Sequence, residues 1–197
     1  MDTFIFRAII FIVLVLTFGI SASFRKRARD EGGTIKRQEE GWLVLVLRMG
    51  LALPLPFVIL LNVFWPAMLA WTKFNSPQWL RILGLILAVL CVPLIWWVFR
   101  SIDKNISETV LIKDEHELVT SGPYNLVRHP LYGTALLLFL SISLAFGDWI
   151  VLGYTVAGIL AFRLLVIPAE EKQLLNAFGE EYECYQARTG ALLPWIR

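Results

Sequence analysis

Arg128 and His129 sit in the stretch SGPYNLVRHPLYG, residues 121–133, immediately before the apolar run TALLLFLSISLAF. A guanidinium and an imidazole are costly in hydrocarbon, so beside a lipid-adapted segment they must lie at the interface, face a polar cavity, or do both. A second polar group follows the next apolar run, where Glu170 and Glu171 come just after Pro168. Cation, imidazole and paired carboxylate are the side chains that orient a charged ligand or move a proton. Each also has a plainer reading. Arg128 serves as a topogenic charge, His129 as a satisfied interface histidine, and Pro130 as the first residue of a helix, where its missing donor costs nothing. The two glutamates suit a first helical turn, near the positive end of the dipole.

Composition decides what must position these residues. Of 197 residues, 57% are hydrophobic and 17% charged, and the mean hydropathy is +0.66, well to the apolar side of soluble domains. The chain reads as an all-α, polytopic membrane protein forming one domain over residues 1–197. A net charge of +2 gives no basis for binding nucleic acid. Cys91 and Cys184 read as free thiols, and His116 and His129, the only histidines, lie far from both in sequence, so no metal-ligand spacing is present.

The first apolar run, Thr3 to Phe24, is long enough to cross roughly 30 Å of hydrocarbon. FRKRARDEGG follows it where a small-residue cleavage site would stand, so a transmembrane helix is expected rather than a signal peptide. Trp42 to Trp71 contains Pro54, Pro56 and Pro66 and must kink or break. Trp79 to Phe99 holds Pro93 and ends at Arg100, and residues 101–130 are too polar for lipid and read as a loop or small lid. Leu131 to Phe146 and Trp149 to Ile167 are separated only by Gly147 and Asp148, which predicts a helical hairpin over 131–167. Beyond Pro168, the helical spacing of Leu174, Phe178, Tyr182 and Tyr185 predicts a C-terminal amphipathic helix.

The expectation is therefore five transmembrane helices, three of them in 1–100, with the loop, hairpin and C-terminal helix in 101–197. Thirteen of the 18 Lys and Arg then fall on one side, and Arg7, Lys73 and Arg81 fall on the other. The positive-inside bias places the N-terminus outside and the C-terminus in the cytoplasm. The hairpin brings Arg128, His129, Glu170 and Glu171 together at its cytoplasmic mouth. With Tyr124 nearby, and with free backbone donors at the helix start of Pro130, that group suits a molecule bearing a carboxylate, an ammonium, ribose hydroxyls and an aromatic base.

HELVTSGPY at 116–124, RHPLY at 128–132 and EEKQLLNAFGEEYECY at 170–185 carry a resemblance. In this order and spacing they resemble the isoprenylcysteine carboxyl methyltransferases, membrane enzymes that use S-adenosylmethionine; the likeness covers about residues 103–197. The resemblance implies a cofactor pocket lined by His116, Leu118 and Val119, by Gly122 and Tyr124, and by His129, Pro130 and Tyr132, with Glu170 holding the cofactor's polar groups. The family also has an arginine four residues before that glutamate, implicated in holding the substrate carboxylate. Val166 occupies that position here, and Arg163, one turn earlier, is the candidate for its role. A tryptophan often found before the loop is replaced by Ile106.

The implied reaction is methylation of the carboxylate of an isoprenylcysteine-like or other lipophilic, lipid-anchored substrate, which enters sideways with its tail among membrane lipids. Such a nucleophile is already ionised at neutral pH and needs no base. An amine acceptor, as in phospholipid N-methylation, must lose a proton first, and His129 would be the group to take it. Two further classes stay in view: the sterol reductases, which use NADPH and carry similar RHP and tyrosine-rich blocks, and a non-enzymatic membrane protein.

Overall fold

The computed structural model describes residues 3–32, 50, 54–102 and 118–194. Ile106 and His116 lie outside the described residues. The first helix, α1 (Thr3–Gly32), is 30 residues long. Its apolar run carries one charge, Arg7, and the straight-chain basic residues that follow continue the helix well past Phe24. Helix α2 (Pro54–Phe64) starts on a proline, where a missing donor is harmless. Pro66 cannot extend it, so Pro66–Thr72 forms a 3-10 helix bent by 114° from α2.

Helix α3 (Gln78–Ile102) runs through Pro93 without ending. After the short 3-10 turn Gly122–Asn125, α4 (Pro130–Phe146) leads into the hairpin turn. Gly147 takes a left-handed conformation, φ +61°, and returns its N–H to the Ser143 carbonyl; Asp148 then caps α5 (Trp149–Ala161) by accepting from the N–H groups of Ile150 and Val151.

Two boundaries differ from the sequence reading. The second arm does not end at Ile167: α5 passes through a π-helical turn, Phe162–Val166, straight into α6 (Ile167–Phe178). In that wider turn the Ile167 N–H reaches back to the Phe162 carbonyl, which relieves the clash between the Pro168 ring and the carbonyl four residues before it. The tail is also two helices, not one. Gly179, φ +51° and ψ −127°, separates α6 from α7 (Glu180–Arg188), so Leu174 and Phe178 stay half-buried on one helix while Tyr182 and Tyr185 are buried on the next.

Helix α3 lies along α4, with α1 against α3 and α5 against α4. Ile10, Ile59, Ala88, Cys91, Ile142 and Val151 form a fully enclosed core, whereas Val15, Ile86, Val89 and Leu160 face outward and are exposed. Large apolar residues on the outside of long helices are the pattern of a chain solvated by lipid. Phe4–Asp30, Gln78–Ile102 and Trp149–Phe178 are each long and apolar enough to cross a membrane, the bent pair forms a fourth candidate, and Pro130–Phe146 is a shorter apolar helix. The chain is an integral membrane protein.

Gly84 sets the closeness of α3 to α4. A Cβ there would stand 2.6 Å from the Ser141 carbonyl oxygen and 2.7 Å from the Ala145 nitrogen, both backbone atoms that cannot swing aside. Gly84→Ala is expected to force the two helices apart and cost about 1–3 kcal/mol, read as a lower melting temperature in detergent.

Candidate active site

The hairpin does carry its two polar groups to one end. His129 caps α4 from the loop side and is 7% exposed, and Glu170 and Glu171 lie in the first turn of α6. The Nδ1 of His129 is 3.4 Å from Glu170 Oε2, and its Nε2 is 3.3 Å from Glu171 Oε1. Both ring nitrogens thus face carboxylate oxygens, an arrangement only the imidazolium satisfies on both sides. Burial pulls the pKa of His129 down, but hydrogen bonds to Glu170 and Glu171, together with their charges, more than offset this and raise it above 6.5.

That shift has a sign that can be checked. Because the folded value exceeds the unfolded one, the histidine's contribution to stability is complete below about pH 6.5 and disappears as pH climbs through the folded value. The melting temperature is expected to fall as pH rises above about 6.5, and His129→Gln is expected to flatten that slope.

The two glutamates have different duties. Glu171 Oε1 accepts from Arg128 Nε at 2.7 Å, and its Oε2 accepts from Gln186 Nε2 at 2.9 Å. With His129 added, protein donors occupy most of its lone pairs. Glu170 accepts from the Tyr132 hydroxyl on Oε1 and faces His129 on Oε2, which leaves acceptor capacity on both oxygens. Tyr132 is itself held between rings, stacked on Phe162 at 4.4 Å between centroids and on His129 at 5.8 Å.

Arg128 is the keystone of this end, not merely a topogenic charge. Its side chain is 8% exposed. Besides Glu171, its guanidinium donates to the carbonyls of Gln186, at 3.2 Å, and Thr189, tying the C-terminal end of α7 to α6. Its backbone N–H bonds Gly190 O at 2.9 Å, and the His129 N–H bonds Ala191 O at 3.0 Å, so residues 189–192 run beside 127–129. Leu192 O would lie 3.1 Å from a Cβ on Gly133, which keeps that crossing close to α4.

Among the other residues singled out in the sequence, Tyr124 is buried and its carbonyl accepts from the Tyr185 hydroxyl at 2.6 Å. Burial pushes the Tyr185 phenol up to about 12, so it remains a neutral donor. Pro130 is buried at the start of α4, and Leu118 and Val119 are half-buried on the approach to it. Arg163 is exposed on the π turn, and Val166 is half-buried one turn later. Sequence reasoning missed Gln186, Phe162 and Thr189, whose roles arise from contacts that no local spacing announces. Tyr182 has a further peculiarity, a buried hydroxyl with no hydrogen-bond partner among the described residues.

The model of the phospholipid methyltransferase family matches residues 79–181, just over half of the chain and the whole of the hairpin with its polar end. The chain belongs to that family. Among relatives, the human protein-S-isoprenylcysteine O-methyltransferase is 31% identical over 149 residues, 69% of this chain and 46% of the human protein. The Xenopus laevis protein of the same name is 33% identical over 129 residues. A cobalt-zinc-cadmium resistance protein of Cupriavidus metallidurans is 41% identical over 85 residues, 42% of this chain and 38% of that one. This phospholipid methyltransferase family member spans less than half the length of these relatives. A solved structure of a eukaryotic intramembrane Ras methyltransferase, isoprenylcysteine carboxyl methyltransferase, has a TM-score of 0.52 at 24% identity and covers 83% of this chain and 55% of its own, a likeness of fold.

Proposed function

We propose that the chain is an S-adenosylmethionine-dependent membrane methyltransferase acting on the carboxylate of an isoprenylcysteine-like or other lipophilic, lipid-anchored substrate. The observation that carries this reading is the meeting of His129, Tyr132 and Glu170 at the hairpin mouth, with Glu170 left partly unsatisfied. The donor set fits the cofactor: Glu170 would take its ammonium or ribose hydroxyls, Tyr132 and Phe162 offer ring surface, and Tyr124, Leu118, Val119 and Pro130 would complete the wall. When bound, S-adenosylmethionine supplies an already activated methyl group, so the chain's own work is alignment and exclusion of water.

The state of His129 bears on which acceptor is used. Once protonated between two carboxylates, His129 has no free lone pair to serve as the base that an amine acceptor needs. A carboxylate acceptor makes no such demand, and His129 then acts by fixing Glu170. Arg163, exposed at the π turn, would meet an anionic group arriving from the lipid side. The matched family's name keeps phospholipid N-methylation as the second reading. The positive-inside bias puts this mouth on the cytoplasmic side, with the N-terminus outside.

Calorimetry of the detergent-purified chain with S-adenosylhomocysteine and, separately, NADPH tests the class; binding of NADPH alone would overturn methyl transfer. Transfer of labelled methyl groups to a farnesylcysteine analogue, in a base-labile form, is the expected outcome of the next assay. Label on phosphatidylethanolamine instead would select the second reading.

A further inference from the structure

The π turn Phe162–Val166 leaves one backbone carbonyl without a donor from its own helix. In an α-helix a carbonyl is met by the N–H four residues on, and in a π turn by the fifth. The Ile167 N–H goes to the Phe162 carbonyl. The next donor in that register would come from Pro168, which has no N–H, so the helix offers nothing to the carbonyl of Arg163. Arg163 and Pro168, which bracket that carbonyl, are both exposed, as are Leu164 and Leu165 between them. The turn lies within Trp149–Phe178, a stretch apolar enough to cross a membrane. Arg163 stands seven residues before Glu170, roughly 10 Å along the axis at 1.5 Å per residue. Water is scarce at such a depth, and a bare carbonyl is costly there unless a partner meets it.

The same turn borders the candidate active site. Phe162, its first residue, stacks on Tyr132 at 4.4 Å between centroids, and the Tyr132 hydroxyl donates to Glu170. A group bound at the Arg163 carbonyl would therefore lie beside the wall that Phe162 and Tyr132 form. Because the Arg163 side chain is exposed on this turn, one residue offers a cation and a backbone acceptor together. A simple fatty acid answers only the cation. A C-terminal amino-acid residue answers both, since its carboxylate and its amide N–H hang from one carbon. From this pairing we infer a specificity contact for the methyl acceptor, which rests on the methyltransferase reading above: the Arg163 carbonyl accepts the amide N–H of a lipid-anchored C-terminal residue. The acceptor's apolar chain lies along Leu164 and Leu165. Pro168 makes the contact available, because any other residue there would bring an N–H of its own.

The test measures labelled methyl transfer by the full chain in detergent to three acceptors that share a farnesyl tail and a carboxylate. They are N-acetyl-S-farnesylcysteine, the same compound methylated on its amide nitrogen, and S-farnesylthiopropionate, which has no amide. The N–H compound is expected to show a KM about fivefold below the other two, the worth of one hydrogen bond between neutral groups, with kcat alike. Pro168→Ala restores the missing N–H. It is expected to raise the KM of the N–H compound to that of the others, while S-adenosylhomocysteine binding and the melting temperature hold or improve. Equal KM for all three acceptors in the wild type overturns the contact and leaves methyl transfer standing. So does a preference that persists in Pro168→Ala with S-adenosylhomocysteine still bound, since it assigns the discrimination to another group. If Pro168→Ala loses that binding, the wild-type ratio decides alone. Transfer to none of the three overturns the carboxylate reading and the contact with it.

Discussion

Arg128→Ala and Glu171→Ala are each expected to lower the stability of the detergent-purified protein by about 3–5 kcal/mol, whereas Glu170→Ala is expected to cost clearly less stability and to weaken S-adenosylhomocysteine binding about 10- to 100-fold. The contrast between adjacent glutamates is the point of the experiment. Arg128 and Glu171 are 8% and 16% exposed and 2.7 Å apart, and removing either leaves the other's charge enclosed without its partner. Arg128→Ala also frees the carbonyls of Gln186 and Thr189, so α7 loses its attachment. Among the described residues Glu170 is tied to the protein by Tyr132 and His129, and its remaining acceptor sites are what a ligand would use. Thermal melts and calorimetry on the same preparations separate the two effects. Equal loss of stability in both glutamate variants would mean that Glu170 is structural, and the proposed cofactor contact would fail with it.

The second large effect is expected at the hairpin turn. Asp148→Ala removes the cap of α5, worth about 1 kcal/mol, and leaves Lys73 and Thr72 facing a void where a fully buried carboxylate stood. The total is expected to reach about 3 kcal/mol or more. Asp148→Asn keeps an oxygen for the Ile150 and Val151 N–H groups but loses the charge opposite Lys73, so it should fall between the two. Melting temperatures ordered wild type, Asn, Ala check this. Because Lys73 follows the bent 3-10 segment, the same variant should open Lys73–Phe74 to protease cleavage.

The polar hub at Asp148 was not legible in the chain itself. Two residues between apolar runs announce a turn, and Gly147 and Asp148 suit one for separate reasons, left-handed backbone and helix capping. Nothing local says that Thr72 and Lys73 will reach that carboxylate from more than seventy residues away. The continuation of α5 through Pro168 was hidden for a related reason. A proline ordinarily ends a helix, and here the π turn Phe162–Val166, whose first residue stacks on Tyr132 across the hairpin, absorbs it.

What the amino-acid order determined by itself was the membrane class, the all-helical fold, the hairpin, and the meeting of His129 with the Glu170–Glu171 pair. Those follow from hydropathy, helical rise and a two-residue turn, which are properties of neighbours along the chain. Only the tertiary structure decided that Glu171 is held by Arg128 and Gln186 while Glu170 keeps acceptor capacity among the described residues, and that both ring nitrogens of His129 face carboxylates. Protonation and lone-pair occupancy depend on partners such as Gln186 and Thr189, supplied by a different helix end, and such partners are chosen by packing in three dimensions.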